Sequence, residues 1–283
     1  MMRFNPYIFL FLLLNLNPIS QASAPKAQWD TVSRPSQQAP QSIGTYTGGC
    51  LSGAASLPTE GVGYQVMRLS RQRRYGHPHL IEFVEQLGKL TASEQHSSLL
   101  IGDLGQMRGG PTPSGHRSHQ TGLDVDIWFL LLQPATHPPL SHDERETWQA
   151  PSMLNKGVVD NALWTQTHEK ILATAASLPF VERIFVNARI KQALCQHAPA
   201  HNRAWLRKIR PWWQHDDHFH VRLSCPEGDA HCQHQAPLPA GEGCGGELAW
   251  WFGKDSAKPS TPQKAGKSAA HLPALCKQVL QSQ

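Results

Sequence analysis

None of the six cysteines sits in a Cys-x2-Cys pair, so the chain has no zinc ribbon. Beyond residue 24 it has no apolar run long enough to cross a bilayer, and no sequence period that would build a repeat array. The glycines of "GDLGQMRGGPTPSGH" lack the spacing and the following Lys of a phosphate loop. "HEKIL" opens at His168 like the helical zinc-protease motif, but position 172 is Leu where a second His is required, so it reads as helix surface. A strong charge of one sign is missing too. The formal charge is +5 and the pI about 8.9, and the basic residues are scattered apart from "RQRRYGH" (71–77) and "RAWLRKIR" (203–210), which read as solvated helix faces. Such a surface attracts anionic cell-wall polymer or nucleic acid, and the signs of export below argue against nucleic acid.

Residues 1–24 carry an early Arg3, an apolar run over 7–16 and small residues at Ser20, Ala22 and Ala24, the pattern of a secretory signal peptide cut after Ala22 or Ala24. Once it is cleaved, no stable membrane insertion is expected. An even set of cysteines (Cys50, Cys195, Cys225, Cys232, Cys244, Cys276) in an exported chain predicts three disulfides rather than ligands or a nucleophile. Cys225 and Cys232 are close enough to close a short local loop; spacing leaves the other partners open. Residues 25–47, rich in Ser, Gln and Pro, read as an extended lead-in, 48–254 as one domain, and 255–283 as a Pro/Lys/Ser-rich tail over the outside, tied back by Cys276. A hydrophobic content of 40% is ample for a packed core.

Apolar residues at three- and four-residue intervals predict helices over 79–90 (Leu80, Phe83, Val84, Leu87) and 162–178 (Leu163, Ile171, Leu172). Short β-type runs fall at 98–103, 123–130, 183–186 and 218–223. The layout predicts an α+β fold, a single domain with helices flanking a small, largely antiparallel sheet.

Histidine and aspartate are concentrated in two places. "GHRSHQTGLDVDIWF" holds His116, His119, Asp124 and Asp126, and "HDDHFHVRL" holds His215, His218 and His220. As a strand, "LDVDIWF" puts Leu123, Val125, Ile127 and Phe129 on one face and Asp124, Asp126 and Trp128 on the other. The same period in "HFHVRL" sets His218 and His220 opposite Phe219, Val221 and Leu223. A Gly-flanked loop lets His119 fold back over the strand bearing Asp126. Asp124, next to that loop, is the weaker ligand candidate and serves equally well to orient His119. Imidazole with carboxylate suits zinc rather than calcium or magnesium, which want an all-oxygen shell, and an open fourth position makes the chain read as a metallohydrolase. Trp212 and Trp213 either line the cleft or pack beside the strand.

At "SGHRSHQTGLDVDIWF", "RIFVN", "WLRKIRPWWQHDDHFHVRLSCP" and "GCGGEL" the chain resembles the penicillin-insensitive murein endopeptidases, periplasmic zinc peptidases of the lysostaphin, D-Ala-D-Ala peptidase and sonic hedgehog superfamily. The resemblance runs from Gln41 to Cys276. It implies Zn²⁺ on His119, Asp126 and His220, His218 as the catalytic base, and His116 and His215 as further motif histidines near the cleft; we group His116 with the metal residues, hydrogen-bonding a ligand or a substrate carboxylate, and expect His215 to stabilise the oxyanion. It implies bridges of Cys50 with Cys276, Cys195 with Cys244 and Cys225 with Cys232. It also implies the periplasm as location and cleavage of the D-alanyl to meso-diaminopimelyl cross-links of peptidoglycan, the expected partner. Some members carry a further Asp/His pair; the stretch near "PSMLNKGVVD" does not clearly preserve it, which leaves a second metal site open. Oligomeric state, monomer or homodimer, is also left open. Two rival readings are a D,D-carboxypeptidase, which would release free D-alanine from monomeric stems, and a cell-wall-binding module without turnover. The open fourth position and intact His218 argue against the second.

Overall fold

The computed structural model describes residues 28–112, 117–253, 256 and 272–282. Residues 1–24, expected to be a secretory leader, and His116 lie outside the described residues. In chain order the strands are β1 Gln41–Thr45, β2 Gly48–Ser52, β3 Ala55–Ser56, β4 Glu60–Gly61, β5 Tyr64–Val66, β6 Tyr75–Gly76, β7 Leu99–Ile101, β8 Asp124–Trp128, β9 Leu154–Asn155, β10 Val158–Val159, β11 Val181–Val186, β12 Ile209–Pro211 and β13 His218–Leu223. The helices are α1 Pro78–Gln95, α2 His142–Thr147, α3 Gln166–Ser177, α4 Ala188–His197, α5 Gly246–Trp250 and α6 Ala274–Gln281. The fold is α+β.

Seven strands form one sheet in the order β12-β11-β13-β8-β7-β5-β4. Only β11/β12 and β5/β7 are parallel, so the sheet is largely antiparallel. At its centre β8 and β13 run antiparallel with Asp126 opposite His220 and Asp124 opposite Arg222. The two-residue period then sorts the side chains. Leu123, Val125, Ile127, Phe129, Phe219, Val221 and Leu223 enter the main core, where each fully buried side chain contributes about 1.5–3 kcal/mol, while the alternate positions are left for chemistry.

Helices α1 and α3 supply the other side of that core through Leu80, Phe83, Val84 and Leu87, and through Ile171, Leu172 and Ala175. α1 starts on Pro78 at its first turn, where His77 Nδ1 accepts the His79 amide at 3.2 Å, and it stops at His96 in the left-handed region (φ 51°). His168 is not helix surface. It is buried in the first turn of α3, its Nδ1 3.0 Å from the Thr165 amide and its Nε2 2.9 Å from the Phe129 carbonyl, and it ties the helix start to the chain just past β8.

The 25–47 stretch is more than an extended lead-in. It contains β1, paired with β2, and its Trp29 and Ile43 are buried in a second cluster with Cys50, Cys276 and Val279. The apolar partners come from α6, in a tail expected to run over the outside, so neither segment alone carries the signal. The two basic runs are not solvated helix faces either. Arg73 and Arg71 pair with Asp103 at 2.9 and 3.2 Å. Around 203–210 a short 3-10 turn leaves carbonyls within reach, and Arg207 and Lys208 donate to those of Leu238 and Ala176. Three disulfides join Cys50 to Cys276, Cys195 to Cys244 and Cys225 to Cys232. No helix among the described residues is long and apolar enough to cross a membrane.

Candidate metal centre

Gly122, with φ 72°, turns the chain from the His119 loop into β8; a Cβ there would lie 2.3 Å from Leu51 Cδ2, so the turn requires glycine. His119 itself sits at φ 65°, a strained backbone for a non-glycine residue. It is held there by its own amide, which donates to Asp124 Oδ2 at 3.2 Å, and by Gln120, whose carbonyl accepts the Gly110 amide at 2.9 Å. The fold-back brings His119 Nε2 to 3.4 Å from Asp126 Oδ2, and its ring meets that of His220 edge to face at 4.7 Å.

One ligand atom each from His119, Asp126 and His220 lies within 4.8 Å of the others, and all three residues are buried. This donor set of two imidazoles and a carboxylate can hold a divalent metal ion. His220 Nδ1 lies 2.9 Å from Asp126 Oδ1, and its Nε2 lies 2.7 Å from Asp124 Oδ1. Asp124 therefore braces both His220 and the His119 backbone. Arg222 Nε donates to the same Oδ1 at 2.6 Å, its guanidinium 4.2 Å over the ring of Tyr46.

The electrostatics follow from this crowding. Burial opposes a charge on His119, but the carboxylates of Asp126, Asp124 and Asp103 outweigh it and lift its pKa to about 9. Burial likewise opposes ionisation of Asp126 and Asp124, yet His119 and His218 around the first, and Arg222 and His220 around the second, hold both well below the usual carboxylate range. The pocket thus gathers ionised carboxylates around the three candidate ligands, a setting that suits a cation.

His218 and His215 stand beside the cluster, their rings 4.8 Å apart. His218 Nδ1 is hydrogen-bonded to Asp217, which leaves Nε2 facing Asp126 Oδ1 at 3.8 Å. Burial lowers the basicity of His218, and Asp126 and Asp217 more than restore it. His215 differs. Its Nδ1 is 2.8 Å from the Trp213 carbonyl, which can only accept, so that nitrogen carries the proton and Nε2 keeps the lone pair. Burial, then the neighbouring His218, push its pKa down to about 4.

Asn187, Asp217 and Arg222 were not expected from the sequence. Residues Gln214 and His215 are both left-handed (φ 60° and 53°), and Asn187 holds that turn, its amide donating to the His215 carbonyl at 2.7 Å and its Nδ2 to that of Gln214 at 2.9 Å. Its Oδ1 also accepts the Arg189 amide at 2.9 Å and caps α4, a signal that an Asn ahead of a helical run does give. Trp212 and Trp213 lie just before this turn, their rings 5.0 Å apart.

The family model described as penicillin-insensitive murein endopeptidase matches residues 42–281. A Haemophilus influenzae protein of that name is 41% identical over 278 residues, covering 97% of this chain and 94% of the relative. A Klebsiella pneumoniae protein of the same name is 39% identical over 286 residues, covering 98% and 97%. One from Escherichia coli is 41% identical over 261 residues, covering 92% and 93%. With a match over nearly the whole described chain and a buried metal-ligand group at its centre, this chain belongs to the penicillin-insensitive murein endopeptidases, a family of peptidases.

Proposed function

We propose that the chain is a periplasmic zinc endopeptidase that hydrolyses D-alanyl to meso-diaminopimelyl cross-links in peptidoglycan. The observation that carries this reading is the convergence of His119, Asp126 and His220 to within 4.8 Å, beside a histidine already oriented by a carboxylate. Those three residues would hold the zinc. When bound, it lowers the pKa of a water toward neutrality and polarises the scissile carbonyl. The remaining work falls to the chain. Asp217 fixes the His218 tautomer, so that Nε2 accepts the proton of the attacking water and then passes it to the departing amine. His215, neutral and with its free lone pair on Nε2, acts as an acceptor toward substrate or water; the oxyanion role expected of it would need a proton that burial disfavours. Three disulfides and the expected leader support export.

The test is mass spectrometry of purified muropeptides before and after treatment. Cross-linked dimers should fall to monomers, a chelator should stop this, and zinc should restore it. Free D-alanine from monomeric pentapeptides with dimers intact, or turnover indifferent to chelator, would overturn the reading.

A further inference from the structure

Three of the seven large apolar side chains most exposed among the described residues, Trp212, Trp250 and Phe252, fall in one patch. Trp212 and Phe252, with Trp213 and Trp251, line a groove of about 340 Å³, and its polar lining is Asn187, Arg189, Gln214 and Ser256. Trp250 extends it, perpendicular to Trp251 at 5.3 Å. Clustered exposed aromatics of this kind mark a surface that something covers.

The groove is continuous with the metal centre. Phe185 packs 5.7 Å from Trp212 on one side and 5.5 Å from His220 on the other, so a single side chain separates the two sites. The rings are tilted against one another, Trp212 to Trp213 at 74° and Trp213 to Trp251 at 59°, rather than stacked into one block. Indole faces therefore remain for a ligand.

Lining chemistry selects the occupant. No carboxylate lines the groove among the described residues, and the charge it does carry is Arg189, whose guanidinium lies 4.3 Å over the Phe252 ring. An ammonium ligand finds no counter-charge there. Peptide stems built of alanine, carboxylates and an amine offer no flat apolar face to stack. A pyranose does, through the C–H bonds on one side of its ring, while its hydroxyl and N-acetyl edges seek amide and guanidinium partners such as Gln214 and Arg189.

We propose that this groove binds the N-acetylated glycan strand to which the stems are attached, seating pyranose rings on Trp251 and Trp212 while the cross-link enters the metal centre. The assignment rests on the murein reading above, and the test keeps the two separable.

Peptide-free murein glycan strands, titrated into the intact protein, should perturb tryptophan emission saturably, with or without metal. Trp251→Ala should weaken this binding at least fivefold and Trp251→Phe should recover part of it. Sugar-free cross-linked peptide dimers should not compete, and the ratio of cleavage rates on sugar-bearing over sugar-free dimers should fall in Trp251→Ala. Absence of glycan binding to the unaltered protein overturns the assignment even if dimers are cleaved, as does competition by sugar-free peptide. Glycan binding without cleavage of any dimer supports the groove and overturns the hydrolase reading instead. A concentration-dependent dimer in sedimentation, dispersed by Trp251→Ala, would give the patch to a second copy of this chain and overturn the proposal.

Discussion

Arg222 Nε donates to Asp124 Oδ1 at 2.6 Å between directly opposed positions of β13 and β8, and His220 Nε2 reaches the same oxygen at 2.7 Å. One buried carboxylate thus aligns a metal-ligand candidate and is itself neutralised by a guanidinium, which Tyr46 and Phe185 flank with their rings. Removing either partner strands a charge in a place water does not reach.

Arg222→Met keeps most of the stem but takes from the buried Asp124 its guanidinium counter-charge, leaving only His220 and the His119 amide, so it should destabilise the fold by about 3–5 kcal/mol. Because Arg222 also holds Asp124 in line with His220, metal affinity should also fall, by roughly 10–100-fold. Urea unfolding and a metal titration on the same preparation check both. Unchanged values in each would show that Asp124 does not depend on Arg222.

Ligand and base should part in their metal content. His220→Ala removes a ligand and should lose both metal and activity, whereas His218→Ala should retain metal and lose about 10² to 10⁴-fold in turnover. Elemental analysis of each folded variant, alongside dimer-cleavage rates, distinguishes them. A His218 variant stripped of metal would remove that residue from the role of base.

Metal affinity should weaken as pH falls. Without metal, His119 holds a proton up to about pH 9, so binding below that pH must expel it. Asp126, already ionised, adds nothing to the count in this range. The dissociation constant should rise about tenfold per pH unit between pH 8 and pH 6, read by competition with a chelating dye. A constant affinity across that window would rule out a protonated His119 in the metal-free protein.

Selective loss of the Cys50 to Cys276 bridge should loosen α6 first. Loop-closure entropy over a sequence separation of 226 residues puts the stabilisation at roughly 5 kcal/mol. Hydrogen exchange in a Cys276→Ala variant should accelerate across α6 and around Trp29 before it does so in β8 or β13. Uniform acceleration would mean that the second cluster has no cooperativity of its own.

The central strands were legible because their chemistry obeys a two-residue period: Val125, Ile127, Phe219 and Val221 alternate with Asp124, Asp126, His218 and His220, and the core claims one set. α1 and α3 were legible by their apolar spacing. The β1/β2 hairpin was not, since its pairing depends on close backbone approach: at Gly49 a Cβ would lie 2.2 Å from the Ile43 carbonyl oxygen. α4 was hidden by Lys191, a lysine inside the core, whose Nζ donates to the carbonyls of Leu206 and Glu242, both at 2.7 Å. The histidines of the site could be named from their spacing, but Asn187, Asp217 and Arg222 act by holding other groups in place, and that is visible only once the strands are paired.

Arg108 donates through Nη1 to the carbonyls of Val279 and Leu280, 171 and 172 residues further along, and its own carbonyl accepts the Leu51 amide beside the Cys50 bridge. Gly109 and Gly110 follow it, and Gly110 clasps Gln120, the neighbour of His119. The loop that presents His119 therefore leans on a segment that emerges long after it during synthesis. A nascent chain that carries every ligand residue but not yet α6 lacks the brace for that loop. The candidate ligand group would then be fully braced only once the last helix of the chain has docked.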